Sequence, residues 1–129
     1  MPLVKIETRK SWSASQKKEI MEAIHSAMRD SIKIPENDRN IRFNEYHHED
    51  FQVPPGKTKN YTLVEITMFA GRSLQAKKEL YQAIVTNLGK LEILADDVFI
   101  VLHEVPLDNW GIRGGIPASE VDLGFKVGV

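Results

Sequence analysis

The segment LVKIETRKSWSASQKKEIMEAI, residues 3–24, recurs 60 positions later as LVEITMFAGRSLQAKKELYQAI, residues 63–84. The two copies stay in register through a β-rich stretch and through the helical pattern that follows it. A long repeat present in only two copies indicates one supersecondary unit used twice, not a solenoid. The repeat extends over residues 2–50 and 62–110, and we expect residues 1–129 to form a single domain.

Each copy predicts a strand, a helix and a second strand. Ser13 and Gln16 have the spacing of a capping box, and Ser73 is placed to cap the second helix. The closing strands are predicted at residues 41–46 and 98–104. Apolar residues recur at helical intervals, and the predicted buried positions are Ile20, Ala23, Ile24, Ala27 and Met28 in the first helix and Leu80, Ile84, Val85 and Leu88 in the second.

Two β-α-β units with right-handed crossovers predict an α/β fold, with two helices on one face of a four-stranded sheet. The strand at residues 61–69 carries apolar residues on both faces, so we expect self-association to cover the helix-free face. Residues 122–127 alternate like a strand. That segment is predicted either to extend the sheet of a neighbouring subunit or to pair within its own chain.

Composition excludes several classes of function. Seventeen basic and eighteen acidic residues give a net charge of −1, so we expect neither a nucleic acid nor a membrane as partner. The absence of cysteine excludes disulfides and thiolate chemistry, and it favours a cytoplasmic location. The neighbours His47 and His48 would point in opposite directions on an extended segment, so we predict no metal site.

Pro2 is the first candidate for chemistry. If Met1 is removed, Pro2 carries a free secondary amine, and an α-amino group titrates at roughly 7.7–8.0 in model peptides. Desolvation or a nearby cation lowers that pKa towards the range of a general base. If Met1 is retained, the same nitrogen is a tertiary amide without basicity. We predict removal of Met1, although most prolines at this position have no chemical role.

The proline at position 2, the duplicated β-α-β unit and the lack of cysteine resemble the tautomerase superfamily over nearly the whole chain. Within it, the segments IPENDR at 34–39, GRS at 71–73 and NWG at 109–111 resemble the malonate semialdehyde decarboxylase-like group. The resemblance implies a single tautomerase-like domain, a homotrimer with active sites around Pro2, a small carboxylate substrate and no cofactor.

The same resemblance implies roles for four residues. Pro2 would transfer the proton, and Asp38 would orient Pro2 or an attacking water. Arg72 would bind the substrate carboxylate, which suits a guanidinium that makes two parallel hydrogen bonds. Trp110 would line the pocket. From the residues alone, Asp38 is equally well explained as closing the turn at 35–38.

Two departures separate the chain from the decarboxylase pattern. Its Arg-x-Arg is replaced by Ala70-Gly71-Arg72, so that one of two cations is missing. A second pocket aromatic is replaced by Ile112. Arg42 and Arg113 are the candidates for a replacement cation at the substrate-binding site.

Three functions therefore remain open. The first is proton transfer at the α-carbon of a small 2-oxo acid or enol, with Pro2 as base and no cofactor. The second is decarboxylation or hydration of malonate semialdehyde, for which Pro2 must act in its protonated form. The third is a non-catalytic trimeric module of the same fold. The sequence does not name the physiological substrate.

Overall fold

A four-stranded sheet with two helices on one face forms the framework of the chain, and the computed structural model describes residues 2–9 and 11–124 of it. The sheet has the order β2-β1-β3-β4. The predicted fold class is confirmed. The elements of this layer are β1 (Leu3–Arg9), α1 (Ala14–Ile32), β2 (Ile41–Tyr46), β3 (Thr62–Phe69), α2 (Leu74–Gly89) and β4 (Val98–Val105).

The register of the sheet decides which loops meet. β1 runs parallel to β2, and β3 runs parallel to β4, as two β-α-β units require. The two units join through the antiparallel pair β1–β3, in which Leu3 lies opposite Thr67. As a result, β1 and β2 begin at the same end of the sheet at which β3 and β4 finish.

Both helices begin at the predicted caps. The Gln16 N–H donates to Ser13 Oγ at 3.1 Å, and the Ser13 N–H donates to Gln16 Oε1 at 2.9 Å, which completes the capping box. In α2 the Ala76 N–H donates to Ser73 Oγ at 3.1 Å. These serines satisfy helix N–H groups that have no partner inside the helix.

The core lies between the helices and the sheet. Most of the predicted helix positions are buried, whereas Ala23 and Val85 are only half-buried. The buried stripe of α2 recurs every four residues, and Val85 lies one position outside it. The residues of the stripe are Ala76, Leu80, Ile84 and Leu88. The buried core residues are Val4, Ile6, Ile20, Ile24, Ala27, Met28, Ile32, Ile34, Val64, Ile66, Met68, Ala76, Leu80, Ile84, Leu88 and Ile93.

The helix-free face is more polar than the sequence predicted. Glu65 lies at its centre, 3.4 Å from Lys5 Nζ and 3.9 Å from His103 Nε2. At one end Phe69 is only 1% exposed, because residues that follow β4 in the same chain pack on it. Part of this face is therefore covered within the chain, by a cluster that includes Ile112 and Ala118. Ile112 lies in a small hairpin of β5 (Gly111–Ile112) and β6 (Ile116–Pro117), and Ala118 directly follows it.

The predicted strand at residues 122–127 is only partly within the described residues. Residues 122–124 are not in a strand, and the remainder lies outside the described residues. The Gly124 N–H donates to the Asp122 side chain at 2.9 Å, which is a local turn interaction. For these three residues the alternation in the sequence does not correspond to strand pairing.

The duplication gives a matched pair of stability tests. Ile24 and Ile84 are related by the repeat, and both are 0% exposed. Replacement of either by alanine should lower the free energy of unfolding by about 2–5 kcal/mol, because each removes three carbons from a close-packed core. Urea unfolding at a fixed protein concentration measures this. The control Leu94→Ala, at a side chain 60% exposed, should change the free energy by less than ~0.5 kcal/mol.

Candidate active site

Pro2 lies at the end of the sheet where β1 and β2 begin. It is buried, and β1 starts at the next residue. The Val4 N–H donates to the Asn40 carbonyl oxygen at 2.9 Å, which fixes the segment before β2 beside the amino-terminal segment. Asp38 belongs to that segment and is half-buried.

The ends of β3 and β4 supply the other side of the same region. Phe69 is the last residue of β3 and pairs with Val105, the last residue of β4. Arg72 follows β3 by three residues, and Trp110 follows β4 by five residues. The topology thus brings Pro2, Arg72 and Trp110 to one end of the sheet from three separate segments.

The Arg72 guanidinium is buried and incompletely hydrogen-bonded. Its residue is 6% exposed, and Nη1 donates to the Phe69 carbonyl oxygen at 3.3 Å. Within the part of the chain that the structure describes, Nε has no acceptor. Burial lowers the pKa of Arg72, and the negative charge of Glu104 partly opposes this effect. A buried donor without a partner costs about 1–3 kcal/mol of folding free energy, and an anionic ligand that accepts from it would remove this cost. The guanidinium is therefore suited to bind an anion.

Glu104 is a residue of this region that sequence reasoning missed. Its carboxylate accepts a hydrogen bond from the Gly71 backbone N–H and forms an ion pair with Lys77 in the first turn of α2. The Lys77 hydrogen bond is the main reason that the pKa of Glu104 is lowered. Gly71 has φ of 125°, a backbone conformation that glycine tolerates best. Glu104 therefore holds the turn that leads to Arg72.

The repeat contained a signal for Glu104. In the first copy Lys17 pairs with Glu45 of β2, and that carboxylate also accepts from the N–H groups of Ser11 and Trp12 at 3.4 Å each. Lys77 is the equivalent of Lys17. A lysine in the first helical turn and a glutamate in the closing strand thus occur in both copies, with the lysines 60 and the glutamates 59 positions apart. The sheet register makes the glutamates equivalent, because Thr8 pairs with Glu45 and Met68 pairs with Glu104.

Trp110 and Ile112 form part of an apolar wall around Phe69. Trp110 is half-buried, and its Nε1–H donates to the Val105 carbonyl oxygen at 3.1 Å. Its ring meets the Phe69 ring edge-on, with centroids 4.9 Å apart and an interplanar angle of 79°. Ile112 is 8% exposed and packs in the same cluster. These contacts hold the tryptophan in one orientation.

The turn that carries Asp38 is anchored to α1 by charge. The Asp38 N–H donates to the Pro35 carbonyl oxygen at 3.1 Å, so the backbone of Asp38 closes the turn, and the role of its side chain stays a prediction. Arg29 Nη1 of α1 donates to Glu36 Oε2 at 2.9 Å, and Arg39 also donates to the Glu36 carboxylate. These two arginines, Arg29 first, lower the pKa of Glu36 to about 2. The sequence analysis did not identify this cluster.

The two candidates for a second cation lie in different places. Arg42 is exposed in β2 opposite Lys5, two strands away from β3. Arg113 is exposed between β5 and β6 with φ of 49°, and its Nη1 donates to the Asp122 carbonyl oxygen at 3.1 Å. Arg113 therefore holds the segment after β6, and its role in substrate binding stays a prediction.

A groove of about 550 Å³ lies outside this region, between α1 and β2. Its lining includes Lys18, Met21, Arg39 and Ile41, and none of the predicted site residues. None of the residues that line this groove is a buried polar group, whereas Arg72 is one. The region around Arg72 is therefore the better candidate for a catalytic site.

Residues 2–9 and 11–124 contain no group of three or more histidine, aspartate or glutamate side chains arranged to hold a metal ion. His47 and His48 are both exposed. Neither helix in the described ranges is long and apolar enough to span a bilayer.

Comparison with known families agrees with this architecture. Two family models, each described as tautomerase enzyme, match the chain over residues 38–113 and over residues 2–59. The chain belongs to the tautomerase family. A probable tautomerase from Ralstonia nicotianae is 34% identical over an alignment of 61 residues, which covers 44% of this chain and 81% of the relative.

Solved structures share the fold of this tautomerase family member. The FG41 malonate semialdehyde decarboxylase inhibited by 3-bromopropiolate has a TM-score of 0.81 at 23% identity and covers 89% of this chain and 92% of its own. Native fused 4-OT has a TM-score of 0.82 at 19% identity, and the match covers 95% of this chain and 99% of the fused 4-OT chain. These likenesses show the shared fold, and the two family models confirm the tautomerase superfamily as the one that the sequence resembles.

The Glu36 cluster predicts how stability changes with acid. The folded-state pKa of Glu36, about 2, is below the ordinary value of 4.5. The carboxylate therefore stabilises the fold above pH 4.5, and this contribution is lost as pH falls towards 2. Glu36→Gln should be less stable than the parent at pH 7 and should approach it near pH 2. Urea unfolding across pH measures this, and Glu49→Gln, at an exposed site, should run parallel to the parent.

Proposed function

We propose that this protein is a cofactor-independent tautomerase that transfers a proton at the α-carbon of a small 2-oxo acid or its enol. Pro2, with Met1 removed, is the base. The observation that carries the proposal is the buried Arg72 with an unpartnered Nε, at the end of the sheet where Pro2 is also buried. Membership of the tautomerase family supports the reaction class.

In the proposed reaction the Pro2 nitrogen takes the enol hydroxyl proton and then gives a proton to the carbon at the far end of the enol double bond, which returns the amine to its neutral form. The double bond shifts from carbon–carbon to carbon–oxygen, so no atom is lost and no redox partner is needed. Arg72 holds the substrate carboxylate through charge-assisted hydrogen bonds. Asp38 orients Pro2, and Trp110 and Ile112 provide an apolar wall for the body of the substrate.

The Arg72 charge serves the base as well as the substrate. A nearby cation disfavours protonation of an amine, and burial acts in the same direction. Both effects bring the pKa of a proline amine from roughly 8 towards the operating pH, where a general base is most effective. Arg72 thereby both binds the substrate carboxylate and lowers the pKa of the Pro2 amine.

A malonate semialdehyde decarboxylase or hydratase activity is the second candidate. Solved structures of malonate semialdehyde decarboxylases share the fold. Ala70 argues against a decarboxylase, because the Arg-x-Arg pattern of the decarboxylase-like group has arginine at that position. Proton transfer needs only one cation for the substrate carboxylate, and we therefore favour the tautomerase.

We further propose a homotrimer in the cytoplasm that acts on a small carboxylate. Several solved structures with this fold are described as fused 4-OT trimers. Exposed apolar side chains on the described surface, such as Phe99 of β4 at 54% exposure, are suited to contacts between subunits.

The Pro2 nitrogen is tested by blocking it. We expect measurable ketonisation of phenylenolpyruvate by a chain whose intact mass shows Met1 removed. A chain with a non-cleavable amino-terminal extension should lose at least ~100-fold in kcat, because its Pro2 nitrogen is an amide. The same extension at the carboxyl terminus is the control. Pro2→Ala retains an amine but not the ring, and should lose activity less severely.

The outcomes of that assay separate the functions. Full activity of the amino-terminally extended chain would eliminate Pro2 as the base. Release of carbon dioxide from malonate semialdehyde, without ketonisation activity, would assign the decarboxylase. Inactivity of the processed chain towards 2-oxo acids and malonate semialdehyde alike would assign the non-catalytic module.

Arg72→Met should raise KM for the 2-oxo acid by at least ~10-fold, because a charge-assisted hydrogen bond to the carboxylate is lost. Arg9→Met, at the opposite end of β1, is the control and should leave KM unchanged. Arg42→Met and Arg113→Met identify a second cation by the same assay. An unchanged KM in Arg72→Met would rule out Arg72 as the carboxylate anchor.

A further inference from the structure

Glu104 lies where two cations can compete for it. Its carboxylate pairs with the Lys77 ammonium and accepts from the Gly71 N–H, and Gly71 immediately precedes Arg72. Lys77 is half-buried, whereas Glu104 is an exposed residue, and their side chains are 21% and 30% exposed. The negative charge of this carboxylate also acts on Arg72, whose pKa it raises against the larger lowering effect of burial.

Arg72 is nevertheless not paired with Glu104. In the described structure its hydrogen bond goes to the Phe69 carbonyl oxygen at 3.3 Å, and its Nε has no acceptor. A guanidinium matches a carboxylate better than an ammonium does, because it offers two parallel donors. From geometry alone Glu104 would be expected to pair with Arg72, yet it pairs with Lys77.

The first copy of the repeat separates a structural role from a functional one. There Lys17 pairs with Glu45 in the same way, and the position equivalent to Arg72 is Trp12, which carries no charge. The lysine–glutamate pair thus joins helix to strand in both copies. Only in the second copy does it adjoin an arginine.

We propose that Lys77 is a positioning residue that occupies Glu104 and so keeps the Arg72 guanidinium available for the substrate carboxylate. This inference rests on the proposed function, in which Arg72 is the anchor. Lys77 itself does not touch the substrate. Without Lys77, Glu104 would pair with Arg72, and the substrate would have to compete with an internal carboxylate.

Lys77→Met should raise KM for the 2-oxo acid by about 10-fold and leave kcat nearly unchanged, since the substrate carboxylate has the same charge in the ground and transition states. Lys77→Met/Glu104→Gln should restore KM, because the amide oxygen still accepts from Gly71 but carries no charge for Arg72.

Two matched controls accompany this pair. Lys17→Met removes the equivalent pair in the first copy, and it should lower Tm by a similar amount with no change in KM. Lys78→Met removes one exposed positive charge from the neighbouring position and should also leave KM unchanged. Together they separate the proposed effect from lost stability and from a general change of charge.

The inference is overturned if Lys77→Met has the parent KM, or if the double variant keeps the raised KM of Lys77→Met. Crystal structures of the parent and of Lys77→Met give a second readout that needs no substrate. We expect a hydrogen bond between Arg72 and Glu104 only in the variant, and its absence there also overturns the inference. Inactivity of the parent enzyme would instead count against the proposed function, and the two crystal structures would still decide the role of Lys77.

Discussion

The antiparallel pairing of β1 with β3 is the constraint on which the site depends. It is the seam between the two copies of the repeat, and it places the beginning of β1 beside the end of β3. Had the two units joined in parallel, Pro2 and Arg72 would lie at opposite ends of the sheet, about 25 Å apart for strands of seven or eight residues. The seam therefore places Pro2 and Arg72, from different copies of the repeat, at the same end of the sheet.

Burial matters for the proposed pairing of functions at this end of the sheet. In water an arginine and an amine interact weakly, whereas the lower dielectric constant of a buried site strengthens the electrostatic interaction between them. Arg72 is kept from solvent, yet the hydrogen bonds of the described structure leave one of its donors unused. The Phe69 cluster shields this end of the helix-free face within the chain, so that shielding here does not depend wholly on a second subunit.

Most of the framework followed from local signals in the sequence. Ser13 and Gln16 act within four residues of each other, and the apolar stripes of both helices repeat over single turns. Glu104 and Lys77 were missed because their pairing depends on how α2 lies across β4, which no local pattern records. The hairpin around Arg113 was missed for another reason, since strands of two residues are too short to show periodicity. The polar centre of the helix-free face depends on register, which brings Lys5 and His103 to Glu65 from two neighbouring strands.

The two halves of the sheet are alike in backbone but not in chemistry. Thr62 occupies the position equivalent to Pro2, and its nitrogen is an ordinary peptide amide in the middle of the chain. A polypeptide has a single amino terminus, so joining two units in tandem duplicates the framework without duplicating the amine. The opposite end of the sheet, where Thr62 lies, therefore has no counterpart of the amine proposed for Pro2.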